Sequence, residues 1–370
     1  MTDTTTAPAR LGAADRLLPV WILAAMAAGL LLAVFVPAAG DLLHSFQVGQ
    51  VSVPIAVGLL VMMYPVLAKV RYADTRAVAG DRRLLVSSLV MNWVVGPALM
   101  FALAWLFLPD LPEYRTGLII VGLARCIAMV LIWNDLACGD REAAAFLEAL
   151  NSVFQVVAFG GLGWFYLQVL PAWLGLPVTS ASFSIWSITL SVLVFLGIPL
   201  LAGYLSRRIG EATKGRTWYE TRFLPKVGPF ALYGLLFTIV MLFALQGQQV
   251  VDRPLDVVRI AVPLVVYFAV TFLVAFVTGR AIGLAYDRTA TLAFTAAGNN
   301  FELAIAVAVG TFGATSGQAL AGIVGPLIEV PALVALVYLS LWLRPRLFPA
   351  PAPAARAADQ VRPLTPQEPS

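Results

Sequence analysis

GLARCIAMVLIWND at residues 122–135 and AAGNNFELAIAVAVG at residues 296–310 decide the fold of this chain. Both are apolar enough to lie in a membrane. Both also carry glycine and polar groups at mid-run: Arg125 and Cys126 in the first, Asn299, Asn300 and Glu302 in the second. Shifting one onto the other by 176 positions superposes Gly122 on Gly298 and Cys126 on Glu302. Hydrocarbon offers no hydrogen bonds, so backbone freed from a helix survives there only inside protein or beside a cavity. The pattern predicts two broken helices crossing near the membrane centre, with Cys126 and Glu302 near the crossing.

The rest of the chain agrees. Of its 370 residues 60% are hydrophobic and 12% charged, and the mean hydropathy is +0.88. A soluble fold could not hide that much apolar surface. Disorder needs the opposite composition, and barrel strands alternate where this chain has long unbroken runs. An all-α membrane protein remains. Ten runs reach the roughly 20 residues of a membrane helix: 17–37, 51–68, 84–108, 116–137, 143–170, 182–205, 226–246, 259–280, 289–311 and 317–343, the last interrupted by Pro326 and Pro331. The net charge of +4 does not point to nucleic acid, because basic residues collect in cytoplasmic loops. With the N-terminus inside, 20 of the 24 Lys and Arg lie on the inner side. Arg115, Arg253 and Arg259 lie outside, and Arg125 lies in the membrane. Both termini are therefore expected in the cytoplasm, as a tail over 1–16 and a disordered, Pro- and Ala-rich tail over 347–370. The basic loops 69–83 and 206–226 follow the second and sixth spans. That spacing predicts two five-span halves of inverted topology, with the fourth and ninth spans equivalent.

Glu302 is the sharpest single residue. An ionisable group at mid-span costs at least ~2.5 kcal/mol and marks function by default. A carboxyl that sheds its charge by binding a proton suits a proton-coupled carrier; the alternative is a structural partner for Arg125. Arg125 needs a partner in its turn, and Glu302, Glu148 and Glu329 all qualify. Cys126 beside that cation is a soft ligand suited to thiophilic metalloids, although a lone cysteine more often behaves as a small hydrophobe. Cys138 reads as incidental. Its twelve-residue separation from Cys126, about 18 Å along a helix, forbids a disulfide. Asn92, Trp133, Asn134, Asn151 and Gln155 complete a polar set, any of which could instead bond helix to helix. Pro54, Pro97, Pro199 and Pro263 read as kinks. With one histidine, no zinc pattern, no phosphate loop and no dinucleotide fingerprint, neither an enzyme nor a cofactor is expected.

GLARCIAMVLIWNDLACGD at 122–140 and AAGNNFELAIAVAVGTFG at 296–313 closely resemble the signature segments of the Acr3 arsenite efflux permeases. The likeness extends through MNWVVGPALMFALAWLFL at 91–108 and GIVGPLIEVPALVALVYL at 322–339, and covers essentially all ten spans. The resemblance implies the bile-acid/arsenite/riboflavin transporter fold. Its panel domain would hold spans 1, 2, 6 and 7 (17–68 and 182–246), and its core domain spans 3–5 and 8–10 (84–170 and 259–343). It implies export of arsenite, and in some members antimonite, in exchange for protons across the bacterial plasma membrane. The family's essential thiol falls on Cys126 and its essential carboxylate on Glu302. Its other important positions fall on Asn92, Arg125, Trp133, Asn151, Asn300 and Glu329. Arsenous acid is neutral at pH 7 and its arsenic is thiophilic, so one thiol with amide hydrogen bonds is a fitting recognition chemistry. Cys126 and Asn300 are expected to bind it, and protonation of Glu302 to help expel it. The competing reading is a sodium-coupled organic-anion carrier of the same fold.

Overall fold

The computed structural model describes residues 17–36, 42, 43, 45–48, 51–69, 81–127, 129–178, 185–313 and 315–349. The tails 1–16 and 350–370, His44 and residues 70–80 of the first basic loop lie outside them. The described residues are helical nearly throughout. Six helical stretches among them are long and apolar enough to cross a membrane, and three shorter apolar helices accompany them. This is a multi-pass membrane protein.

In chain order the helices are α1 (Leu18–Phe35), α2 (Val53–Ala68), α3 (Arg82–Phe107), α4 (Pro112–Leu123), α5 (Val130–Leu136) and α6 (Arg141–Trp173). Then come α7 (185–214), α8 (Pro229–Asp252), α9 (Pro254–Ala281), α10 (Tyr286–Ala297), α11 (Phe301–Phe312) and α12 (Gly317–Leu347). Capping side chains fix the starts of α3, α6 and α12. Asp81 accepts from Leu84 N, Asp140 from Glu142 N and Ala143 N, and Ser316 from Ala319 N. Gly313, at φ 99°, takes the left-handed turn that stops α11.

Prolines explain the irregular turns. A π-helical turn spans Met91–Val95, another Phe165–Val169, and a third Leu193–Gly197. Each ends two residues before a proline: Pro97, Pro171 and Pro199. A proline ring collides with the carbonyl four residues back, and a wide turn there moves that carbonyl aside. The kinks expected at Pro97 and Pro199 therefore take this form, whereas Pro54 stands in the first turn of α2 and α9 runs unbroken through Pro263. Pro326 and Pro331 differ from expectation: α12 runs unbroken through both. Each removes only its own amide from the ladder, and α4, α9 and α11 pack against the helix on several sides.

Two packed groups result. α8 lies against α1 and α2, and the second half of α7 against α2; α9, α10, α11 and α12 pack with α3 and α4, and the first half of α7 joins the two groups by packing on α6 and α11. In the first group small residues permit close approach. A Cβ on Gly234 would lie 2.7 Å from Met62 N and 3.0 Å from Gly58 O across the α2–α8 contact. Gly234→Leu must push α8 away from α2, and overpacking of this kind costs about 1–3 kcal/mol. A lower melting temperature of the detergent-solubilised protein is expected, with no change for Gly161→Leu, because nothing lies within 4 Å of a Cβ at Gly161.

Candidate functional site

Both stretches quoted at the outset are broken helices. α4 ends at Leu123 and α5 begins at Val130; α10 ends at Ala297 and α11 begins at Phe301. The two breaks clasp one another. Arg125 and Asn299 form an antiparallel bridge. Cys126 N donates to Gly298 O (3.3 Å) and Asn300 N to Ala124 O (2.9 Å). Asn299 Nδ2 adds a bond to Val121 O (2.6 Å), and Gln155 Oε1 on α6 accepts from Arg125 N. Backbone amides released by the breaks thus find partners in each other, as the membrane requires.

Arg125 does not meet a carboxylate. Its guanidinium donates to Gly122 O and to Ala296 O (3.3 Å), carbonyls in the last turns of α4 and α10. A helix carries about half a negative charge at its C-terminus. One cation between two such ends is neutralised without an acid, and the Tyr267 ring lies 5.9 Å away. Of the three partners the sequence left open, none forms an ion pair with Arg125 among the described residues. Gly96 of α3 makes room for this arrangement, since a Cβ there would lie 2.7 Å from Arg125 Nη1.

Cys126 is buried within the break. Gly298 faces it, and a Cβ at that position would sit 3.6 Å from the sulfur. Asn300 caps α11 through Leu303 N (2.9 Å), which leaves its Nδ2 free. Glu302 stands in the first turn of α11, half-buried, where the helix dipole favours negative charge. It faces a cavity of about 270 Å³ walled by α2, α5, α6 and α8. Ile127 also lines that cavity, so Cys126 lies one residue behind its wall. Met62, Met63 and Met129 contribute thioethers, and Lys69, Asp135 and Arg141 contribute charge.

The remaining predicted residues are buried. Asn92 lies in the π turn of α3 and donates to Ser88 O (2.9 Å). Asn151 accepts from Trp93 Nε1 (3.2 Å). Glu329 receives a long contact from Asn299 N (3.5 Å), and Trp133 is buried on α5. Asn92 Oδ1, Trp133 Nε1, Asn151 Nδ2, Gln155 Nε2, Asn299 Oδ1 and Asn300 Nδ2 have no hydrogen-bond partner among the described residues. Folded proteins leave few buried polar atoms in that state, so this concentration fits a place that receives a polar solute. Cys138 is exposed at the turn after α5, at φ 57°. Arg259 pairs with Asp110 in the loop after α3 and holds that carboxyl below its ordinary value.

Sequence reasoning offered Glu148 only as a partner for Arg125 and Gln155 only as one of a polar set, and the structure places them otherwise. Both had a legible signal, because Glu148, Asn151 and Gln155 repeat at i, i+3 and i+7 on one face of α6. Glu148 lines the cavity, and Gln155 holds the break.

A model of the Sodium Bile acid symporter family matches residues 56–253. The chain is 64% identical over 348 residues to the arsenical-resistance protein Acr3 of Corynebacterium glutamicum, with 94% of each chain covered. It is 36% identical to the uncharacterized transporter slr0944 of Synechocystis sp., over 87% of each chain. It is 32% identical to the arsenical-resistance protein Acr3 of Alkaliphilus metalliredigens, over 89% of this chain and 93% of the relative.

Proposed function

The chain belongs to the sodium bile acid symporter family and, within it, to the Acr3 arsenical-resistance proteins, and from that premise we propose that it exports arsenite from the cytoplasm in exchange for protons. The observation that carries this reading is the clasp. It ties together a single buried thiol, Cys126, and the free amide of Asn300, within two residues of Ile127 and Glu302 on the cavity wall.

Arsenous acid enters from the cytoplasm along the cavity. Cys126 displaces one hydroxyl of the arsenic: the S–H proton and the hydroxyl leave as water, and one As–S bond forms. Asn300, Asn151 and Trp133 supply donors to the two remaining hydroxyls, and Asn92 and Asn299 supply acceptors. Glu302 is ionised in this state. On the outer side it takes a proton, water returns to the arsenic, and the thiol is released. The proton later leaves to the cytoplasm.

The topology read from the sequence completes the proposal. Ten membrane helices form two inverted five-helix halves, with both termini in the cytoplasm of a bacterial plasma membrane. α1, α2, α7 and α8 make a panel; the remaining helices make a core that carries the site. A rocking motion of core against panel, with α7 sliding on α6 and α11 where the two groups meet, exposes the site alternately to each side.

Everted membrane vesicles with an acidified lumen provide the test. Arsenite uptake is expected, collapsing when nigericin dissipates the pH gradient and unchanged when sodium is replaced by potassium. Uptake that ignores the pH gradient would overturn proton exchange. Uptake that requires sodium would favour the organic-anion carrier mechanism instead.

A further inference from the structure

Glu148 is a buried carboxyl that the mechanism above does not use. It sits on α6, on the wall of the cavity that Glu302 also faces. The backbone amide of Leu131, in the first turn of α5, hydrogen-bonds it. Its Oε1 has no partner among the described residues. Arg141, seven residues earlier on the same helix and so about 10 Å along its axis, lines the same cavity with a side chain that is 58% exposed, whereas Glu148 is buried. The exposed Arg141 end of the wall is therefore its solvent side, and Glu148 lies further in.

The charged groups around it are few. Asp135 of α5 and Arg141 of α6 pair with each other at 3.3 Å. Lys69, at the end of α2, and Glu302 of α11 are the other charged residues on the wall. On the other flank of α6, Arg288 of α10 is engaged by Asp81 (2.6 Å) and Asp140 (3.5 Å). No titratable side chain of α7 or α8 lines the cavity among the described residues. Glu148 thus has no cation committed to it. A buried carboxylate without one is costly, whereas a carboxyl that alternately holds and passes on a proton is not bound to that cost.

We propose that Glu148 is a second proton-carrying carboxyl of this transporter, standing between Glu302 and the mouth of the cavity. The proposal rests on the proton-exchange reading. In the return half of the cycle the protonated Glu148 releases its proton to bulk water at the mouth, and the proton on Glu302 passes through cavity water to replace it, leaving Glu302 ionised and Glu148 neutral again.

Two modes of transport separate this role from others. Net uptake driven by a pH gradient requires proton release. Exchange of labelled for unlabelled arsenite does not, because the loaded carrier shuttles without returning empty. In proteoliposomes, Glu148→Gln is expected to slow net uptake about tenfold or more, while exchange stays within twofold of the parent. Glu148→Asp, which keeps a carboxyl, is expected to restore net uptake to within threefold. Equal loss of net uptake and exchange in Glu148→Gln would overturn the proposal in favour of a packing or substrate-binding role. So would unchanged net uptake, or an Asp variant as slow as the Gln variant. If the parent protein itself showed exchange but no gradient-driven uptake, the proton-exchange reading would fail first, and that outcome is distinct from each of the others.

Discussion

Vesicles carrying Cys126→Ser are expected to accumulate arsenite no faster than vesicles lacking the protein, a loss of about 100-fold, or roughly 2.8 kcal/mol of binding. The reason lies in what competes with the side chain. Arsenous acid already has three As–O bonds, and water at full concentration can replace any of them. A serine hydroxyl offers one more As–O bond and gains nothing over hydration. The thiol offers a bond type that water cannot, since thiolate is a soft ligand and arsenic a soft centre. Sulfur and oxygen differ little in shape, and Gly298 leaves room at the site, so the serine variant should fold. Cys138→Ser supplies the control. That side chain is exposed beyond α5, and its replacement is expected to leave uptake within twofold of the parent. Undiminished uptake by Cys126→Ser would reject capture by the thiol.

Glu302→Gln is expected to remove the response to the pH gradient. Glutamine matches glutamate in size and can neither bind nor release a proton. In the proposed cycle, proton and arsenite oppose each other at this residue, and such coupling between ligands is reciprocal, worth about 1–3 kcal/mol. Its loss should lower gradient-driven uptake about 10- to 100-fold. Whatever exchange remains should be flat from pH 6 to 8. The measurement is arsenite uptake against imposed lumen pH in the two proteins, side by side. A Gln variant that still followed the gradient would move the coupling site elsewhere, with Glu329 and Glu148 as the next carboxyls to replace.

The breaks themselves were legible, because Gly122, Arg125, Gly298 and the Asn299–Asn300 pair are poor company for a buried helix. The clasp between them was not. Backbone pairing between remote segments leaves no mark on side-chain identity, and the carbonyls that neutralise Arg125 belong to Gly122 and Ala296, which no charge pattern points to. A cation at mid-span suggests an acid. The structure answers with two helix ends instead. Proline misled in the opposite way. Pro326 and Pro331 read as an interruption, yet a helix packed on several sides loses only local hydrogen bonds and carries on. Pro97 and Pro199 were read as kinks without their form, since a π turn depends on where the displaced carbonyl can go. The polar face of α6 was open to view at helical spacing. Only the cavity distinguished Glu148 from its neighbours.

The antiparallel bridge at Arg125 and Asn299 has a thermodynamic corollary. In the proposed cycle, two loops tied by their own amides do not drift apart as core moves against panel, so thiol, amides and carboxyl keep one geometry whichever side is open. A site of constant shape has the same intrinsic selectivity on both faces of the bilayer. It cannot act as a ratchet by changing shape. Directionality must then come from chemical potentials alone, entering through the occupancy of an ionisable group. Given a steep enough opposing gradient, the same molecule would run backwards and load the cell with the cargo it normally expels.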